Sequence, residues 1–259
     1  MIDIPYLLEL AKQAAIMAGK AIVEIYVSGD FGVEIKSDLS PLTLADKAAH
    51  EIIASNLEAS GLPVLSEEGS SIGYEDRKNW EYLWLVDPLD GTKEFIKRSG
   101  EFTVNIALVH FNIPVAGVIF APAMDILYYG SKETGVYKIE KGRQVQLSSI
   151  PKKATIRELQ QKEQITIAAS KSHMNEKTSA FISQFHNAGL LSIGSSLKLM
   201  LLAEGTVDIY PRLAPTMEWD IAAGDGILRS LNRGVYETDL QTPLFYNKEE
   251  LLNPPFIAF

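Results

Sequence analysis

Apolar and polar positions along the chain change period several times, and each change marks an element. From Pro5 to Tyr26, Leu7, Leu10, Ala14, Met17, Ala21 and Ile25 recur at helical spacing, which predicts an amphipathic helix. The stretch from Ser28 to Ser40 is polar. Thr43-x-x-Asp46 then has the form of a capping box. Ala49, Ile52, Ile53 and Leu57 carry a second helical face until Gly61-Leu62-Pro63 ends it. Val64 to Gly69 reads as a short strand entering a turn, and Ser70 to Asn79 as a polar loop. Phe102 to His110 and Val115 to Phe120 are rich in β-formers and predict a hairpin across Phe111-Asn112-Ile113-Pro114. Ile126 to Tyr129 and Gly135 to Ile139 add strands.

The second half alternates strand-like and helix-like segments. Strands are expected at Ile165 to Ala169 and Val207 to Tyr210. Helices are expected at Asn175 to Asn187, at Ser195 to Ala203 after a Gly-Ser-Ser turn, and at Asp220 to Leu231. There is no internal repeat. The pattern predicts a layered α/β protein. The basic, polar run from Lys138 to Lys153 suggests a border between two lobes, 1–140 and 141–259, that form one compact catalytic unit.

Composition narrows the classes. The chain has 259 residues, enough for a large buried core. No apolar run is long enough to cross a bilayer. The N-terminus carries Asp3 and Glu9 without a basic segment before an apolar one, so no secretory signal is expected. The chain contains no cysteine, which excludes thiolate sites and suits a cytoplasmic protein. Attachment to the inner face of a membrane stays open, as does the choice between monomer and homodimer. A net charge of −9 argues against a nucleic-acid surface. It does not exclude a small anionic substrate, provided metal ions and a few local cations reverse the field.

The candidate chemistry lies in Trp84-Leu85-Val86-Asp87-Pro88-Leu89-Asp90-Gly91-Thr92. A hydrophobic strand stops on two carboxylates, and a hydroxyl follows. Pro88 biases Asp87 towards an extended conformation, and Gly91 permits a turn. Both carboxylates then reach one rim, with the Leu89 carbonyl between them. Oxygen donors without sulfur suit a hard cation such as Mg²⁺. Glu67 and Asp220 lie at similar junctions and complete the group. No phosphate-binding Gly-rich loop with a Lys-Ser/Thr ending is present. The Asp-x-x-Asp spacing favours metal ligation over nucleophilic attack by Asp87, which leaves an activated water as the nucleophile.

Asp87 to Thr92, Glu67-Glu68 upstream and Trp219-Asp220-Ile221-Ala222-Ala223-Gly224 downstream resemble the signatures of the inositol monophosphatase superfamily. Lys93 to Arg98, Gly100 to Asn105, Ser195-Ser196-Leu197-Lys198 and Tyr210-Pro211-Arg212 resemble its CysQ-type branch, the 3′(2′),5′-bisphosphate nucleotidases. The resemblance implies an α-β-α-β-α sandwich of the inositol monophosphatase and fructose-1,6-bisphosphatase type. It implies two or three Mg²⁺ ions held by Glu67, Asp87, the Leu89 carbonyl, Asp90 and Asp220, and inhibition by Li⁺. Thr92 and Asp46 would form the pair that addresses the attacking water. Asp38 would be a loop acid near a third ion, and Glu68 would face away from the ligands.

The implied reaction removes the 3′-phosphate of adenosine 3′,5′-bisphosphate, with the 3′-phosphosulfate nucleotide as a second substrate. Glu67, Leu89, Asp90, Gly91, Thr92 and Asp220 would surround the reacting phosphate. Lys198, Arg212 and the Gly194-Ser195-Ser196 turn would take the second anion, and His173 the nucleoside. Lys171 stands where the family more often has arginine. Two other readings are an inositol or sugar phosphate monoesterase and a non-catalytic nucleotide sensor.

Overall fold

A computed structural model describes residues 2–36, 39–149, 155–169 and 175–259. Asp38, Lys171 and His173 lie outside the described residues.

The first helix, α1 (Ile4–Ser28), starts with Asp3 accepting the Tyr6 amide and ends at Gly29 in the left-handed region. Its buried stripe is Leu7, Ala11, Ala14, Ala15, Ala18 and Ile22. The expected face was rotated from this one, and Met17 is 49% exposed. The alanines and Gly19 let α1 approach the sheet closely, with a Cβ at Gly19 coming within 2.4 Å of the Phe120 ring, while Leu7 and Ile22 fill the core on either side. A short hairpin, β1 (Glu34–Ile35) and β2 (Pro41–Leu42), leads to α2 (Leu44–Leu57), which opens with the predicted Thr43–Asp46 capping box. Next come β3 (Val64–Ser66) and a single helical turn, α3 (Tyr74–Arg77), inside the segment expected to be loop.

β4 (Tyr82–Asp90) is buried on both faces along almost its whole length. Leu83 and Leu85 point into one core, and Trp84 and Val86 into another. That is the two-sided burial expected of a strand covered by helices above and below. The turn α4 (Thr92–Ile96) follows, then the predicted hairpin of β5 (Thr103–His110) and β6 (Ile113–Ala121). Phe111 and Asn112, both at positive φ, make its two-residue turn. β7 (Ile126–Ser131), β8 (Gly135–Glu140) and β9 (Arg143–Leu147) complete a sheet of order β3-β4-β5-β6-β7-β8-β9. β9 falls in the polar run read as the border between lobes, so this sheet continues to Leu147.

The remaining elements are α5 (Ile156–Gln160), β10 (Ile165–Ala169), α6 (Glu176–Ile182), β11 (Ala188–Ser192), α7 (Leu197–Glu204), β12 (Tyr210–Arg212), α8 (Glu218–Ser230), β13 (Val235–Glu237) and β14 (Phe256–Ala258). β10 pairs with β11 in parallel, β14 lies between β12 and β13, and an Ile167–Ile209 bridge joins the two groups. Alternation along these strands defines the layers. Ala168, Phe256 and Ala258 pack with α7 and α8, whereas Ile167, Ile257 and Phe259 face the core of α5 and α6. Helices, large sheet, helices, small sheet and helices therefore follow one another, as expected of an α-β-α-β-α sandwich.

The run Ala222-Ala223-Gly224-Asp225-Gly226 lets α8 lie almost on the backbone of β6. A Cβ at Gly117 would come within 2.1 Å of the Ala223 carbonyl oxygen. Among the described residues, no helix is long and apolar enough to cross a membrane.

Candidate active site

The site forms where the end of β4 meets the start of α8. β4 pairs with β5 so that Asp87 faces Asn105 and Asp90 faces Thr103, with an irregularity between the two acids. Pro88 has no N–H for the ladder, so a bulge is tolerated there. Asp87 accepts the Leu89 amide at 3.0 Å, which curls the chain. Gly91 continues the curl at φ 95°, where a Cβ would sit 3.1 Å from the Glu101 carbonyl oxygen. Thr92 thereby starts α4 beside α2. Its hydroxyl donates to Asp46 Oδ1 at 3.1 Å, with the Leu89 carbonyl at 3.3 Å as a second acceptor.

Asp46 is buried, and its other oxygen accepts the Thr43 amide at 2.7 Å and the Thr43 hydroxyl at 2.5 Å. Helix capping and the Thr92 contact thus coexist on one carboxylate. Burial raises the Asp46 pKa, and the threonine bonds oppose that rise.

Glu67, Asp87 and Asp220 offer carboxylate oxygens that all lie within 4.8 Å of one another. Glu67 follows β3, where its amide donates to the Val86 carbonyl at 3.1 Å. Asp220 sits in the first turn of α8 and accepts the Met217 amide at 2.9 Å. α8 begins two residues before the expected start, at Glu218. That buried carboxylate accepts the Asn247 amide at 2.6 Å and the Lys248 amide at 3.1 Å. A strap from the C-terminal region thus pins the turn that carries Asp220.

Asp90 is not one of the tight trio but faces it. Burial, then the charges of Glu67, Asp90 and Asp220, push Asp87 well above the usual carboxylate range. Burial followed by the Asp90 charge does the same to Asp220. Asp90 itself is raised to about 6, chiefly by burial and against the pull of Lys198. Such a gathering of like charges around the buried Asp87 is costly unless a cation enters it. The donors are all oxygen, so the set fits a hard divalent ion.

Lys36 was not foreseen. Its ammonium donates to Glu67 at 2.9 Å and to Glu68 at 2.5 Å. Burial would lower the Lys36 pKa, but these two carboxylates hold it above its ordinary value. Glu68 therefore does not face away from Glu67. The chain turns there, with Gly69 N bonded to the Ser66 carbonyl, instead of running extended.

A cleft partly open to solvent runs from Asp90 and Asp220 to Ser195, Lys198, Tyr210 and Arg212. Lys198 is only 5% exposed, not an ordinary surface lysine. It donates to the Ser195 carbonyl at 2.6 Å and the Ile193 carbonyl at 3.1 Å. Burial lowers its pKa to about 8, although Asp90 pulls the other way. Ser195 Oγ and Arg212 Nε are buried without a hydrogen-bond partner. Two such orphans lining one cleft mark a place for an anion.

The Gly194-Ser195-Ser196 turn is less available than expected. Gly194 N donates to Glu101 Oε2 at 2.9 Å. The Ser196 hydroxyl points inward, donating to Asn105 Oδ1 at 2.8 Å and lying 2.9 Å from the Thr103 hydroxyl. Asn105 was also missed. A polar residue inside the apolar run Val104 to Val109 was the available signal.

Comparison with known proteins adds to this geometry. The model of the Inositol monophosphatase family matches residues 3–255. The 3′(2′),5′-bisphosphate nucleotidase CysQ of Salmonella typhimurium is 41% identical over 254 residues, covering 96% of this chain and 98% of that protein. The crystal structure of CysQ from Bacteroides thetaiotaomicron, a bacterial member of that family, superposes with a TM-score of 0.82 at 44% identity, covering 97% of this chain and 96% of that one. The extragenic suppressor protein suhB of Bartonella henselae superposes with a TM-score of 0.76 at 25% identity, covering 98% and 93% respectively.

Proposed function

The chain belongs to the inositol monophosphatase family, and from that premise we propose that it hydrolyses the 3′-phosphate of adenosine 3′,5′-bisphosphate to AMP and phosphate. The observation that carries this reading is the cleft that joins an acidic cluster at one end to Lys198, Arg212 and the orphaned Ser195 hydroxyl at the other. A nucleotide with phosphates at both ends of its ribose needs both kinds of site. The 3′-phosphosulfate nucleotide offers the same anions and is the second substrate in this reading. An inositol monophosphate would leave the cationic end unpaired, which disfavours the sugar phosphatase reading.

Glu67, Asp87, Asp220 and the facing Asp90 are the candidates to hold Mg²⁺, with the Leu89 carbonyl beside them. Such ions would supply Lewis acidity to the phosphoryl oxygens and to water. The chain's own contribution begins with Thr92. Its proton is committed to Asp46 Oδ1, so its oxygen keeps lone pairs with which to accept from a water. Asp46, fixed on its far side by Thr43, holds that hydroxyl in one orientation. Lys198 and Arg212 orient the nucleotide by its remote phosphate, and Gly91 lets the backbone pass without a side chain in the way. Li⁺ is the expected inhibitor, competing at a cation position. Phosphate release across a LiCl series, with KCl as control, checks this. Full activity at high millimolar Li⁺ would contradict it.

The pH dependence tests the assignment of the remote phosphate. A Lys198 ammonium with a pKa of about 8 is charged below that pH and neutral above it. Its attraction for a phosphate is therefore present at neutral pH and lost on the alkaline side. We expect kcat/KM for adenosine 3′,5′-bisphosphate to fall as pH rises through about 8. Adenosine 3′-monophosphate, without the remote phosphate, should lack that limb, and Lys198→Met should remove it. An alkaline limb unchanged in Lys198→Met would overturn the assignment.

A further inference from the structure

Asn105 is wholly buried and bridges the two halves of the cleft. Its amide nitrogen faces Asp90 Oδ2 at 3.5 Å and the Asp220 carbonyl at 3.4 Å. Its amide oxygen accepts the Ser196 hydroxyl at 2.8 Å. Asn105 therefore links Ser196 to Asp90. Behind it, the Thr103 hydroxyl lies 2.9 Å from the Ser196 hydroxyl. Since Ser196 gives its proton to Asn105, Thr103 is the donor in that pair. Thr103, Ser196 and Asn105 are all buried, so each has one defined role in the chain that ends on Asp90.

The adjoining residue faces the cleft. Ser195 has φ 48°, an uncommon conformation for a side chain of this type, and its hydroxyl is the buried orphan. The Ser195 carbonyl is held by Lys198 at 2.6 Å. One loop therefore presents Ser195 to an incoming anion and Ser196 to the acid that faces the metal cluster. An anion bound by Ser195 and Lys198 fixes the loop. A fixed loop fixes Ser196, and Ser196 acts on Asp90 through Asn105.

The geometry points to Asn105 and Ser196 as positioning residues that couple the remote-phosphate site to Asp90, so that filling one site tightens the cation site at the other. This rests on the nucleotidase reading, and it adds a consequence. The bisphosphate is favoured over a 3′-monophosphate through kcat as well as through binding, because the remote phosphate helps set Asp90.

Coupling between two sites is reciprocal and can be read without catalysis. The probe is Mn²⁺, standing in for Mg²⁺, titrated by electron paramagnetic resonance with and without AMP, which carries only the remote phosphate. In the wild-type protein AMP is expected to lower the Mn²⁺ Kd about ten-fold, and in Ser196→Ala less than about two-fold. Kinetics give the second readout. Ser196→Ala should lower kcat on the bisphosphate about ten-fold with little change in KM, and at least about five-fold less on adenosine 3′-monophosphate.

A thermal melt shows whether Ser196→Ala is folded. If it is not, Thr103→Val decides, since it keeps the volume and removes only the bond that orients Ser196. It should reduce the AMP effect in the same direction. No AMP effect on Mn²⁺ in the wild-type protein would overturn the coupling. So would an effect that persists in the folded variants, or equal kcat losses on both substrates. Failure of the wild-type protein to hydrolyse the bisphosphate would instead sink the nucleotidase reading, while the Mn²⁺ titration could still be read.

Discussion

Replacing Asp87 with asparagine is expected to cut phosphate release from adenosine 3′,5′-bisphosphate by ~10³-fold or more, about 4 kcal/mol of transition-state stabilisation. Asp87 belongs to the trio with Glu67 and Asp220 and also faces Asp90, so a cation held there would lose a central ligand. The fold should survive. Asparagine keeps the shape, and its Oδ1 can still accept the Leu89 amide. Without divalent ions the variant should melt higher than the wild type. The wild-type carboxylate is buried among like charges, and the substitution removes that repulsion. Adding Mg²⁺ should then raise the wild-type melting temperature and leave the variant nearly unmoved, because only ligand that binds the folded state stabilises it. Melts in EDTA and in Mg²⁺, run beside the activity assay, check both halves. Equal stabilisation of the two proteins by Mg²⁺ would remove Asp87 from the ligand set.

Thr92→Val should lower kcat by ~10²–10⁴-fold, the usual span for a positioned proton-transfer group, with KM changing only a few-fold. Valine matches threonine in size, so the change tests the hydroxyl and not the packing. The hydroxyl is held by Asp46 Oδ1 at 3.1 Å, and Asp46 is in turn held by Thr43. Thr92→Ser should restore most of the activity. Steady-state kinetics of the two variants side by side make the comparison. A valine variant as active as the serine variant would show that Thr92 has no part in handling the proton.

Local signals were readable from the sequence. The Asp87 to Thr92 run, the Thr43–Asp46 box and the β5–β6 hairpin are each specified within a few residues, and the structure forms all three. The inward face of α1 was not readable in the same way. Helical spacing proposes a stripe, but the neighbour's approach chooses between Met17 and the alanines beside it. Lys36, Asn105 and the inward turn of Ser196 were missed for a related reason. Each owes its role to a partner far along the chain: Lys36 to Glu67, Asn105 to Asp220, and Ser196 to Thr103. Lys198 is the sharpest case. At a helix start it reads as exposed, yet the layer formed by β12 and α8 encloses it, and enclosure is what lowers its pKa to about 8.

The central claim is that this cleft selects a nucleotide bearing two separate phosphates. The most direct measurement compares kcat/KM for phosphate release from adenosine 3′,5′-bisphosphate and from inositol 1-phosphate, with Mg²⁺, at neutral pH. The account predicts a preference for the bisphosphate of at least ~10²-fold, because the inositol ester leaves Arg212 and the buried Lys198 without an anion. Turnover of inositol 1-phosphate as efficient as that of the bisphosphate, or more so, would contradict it.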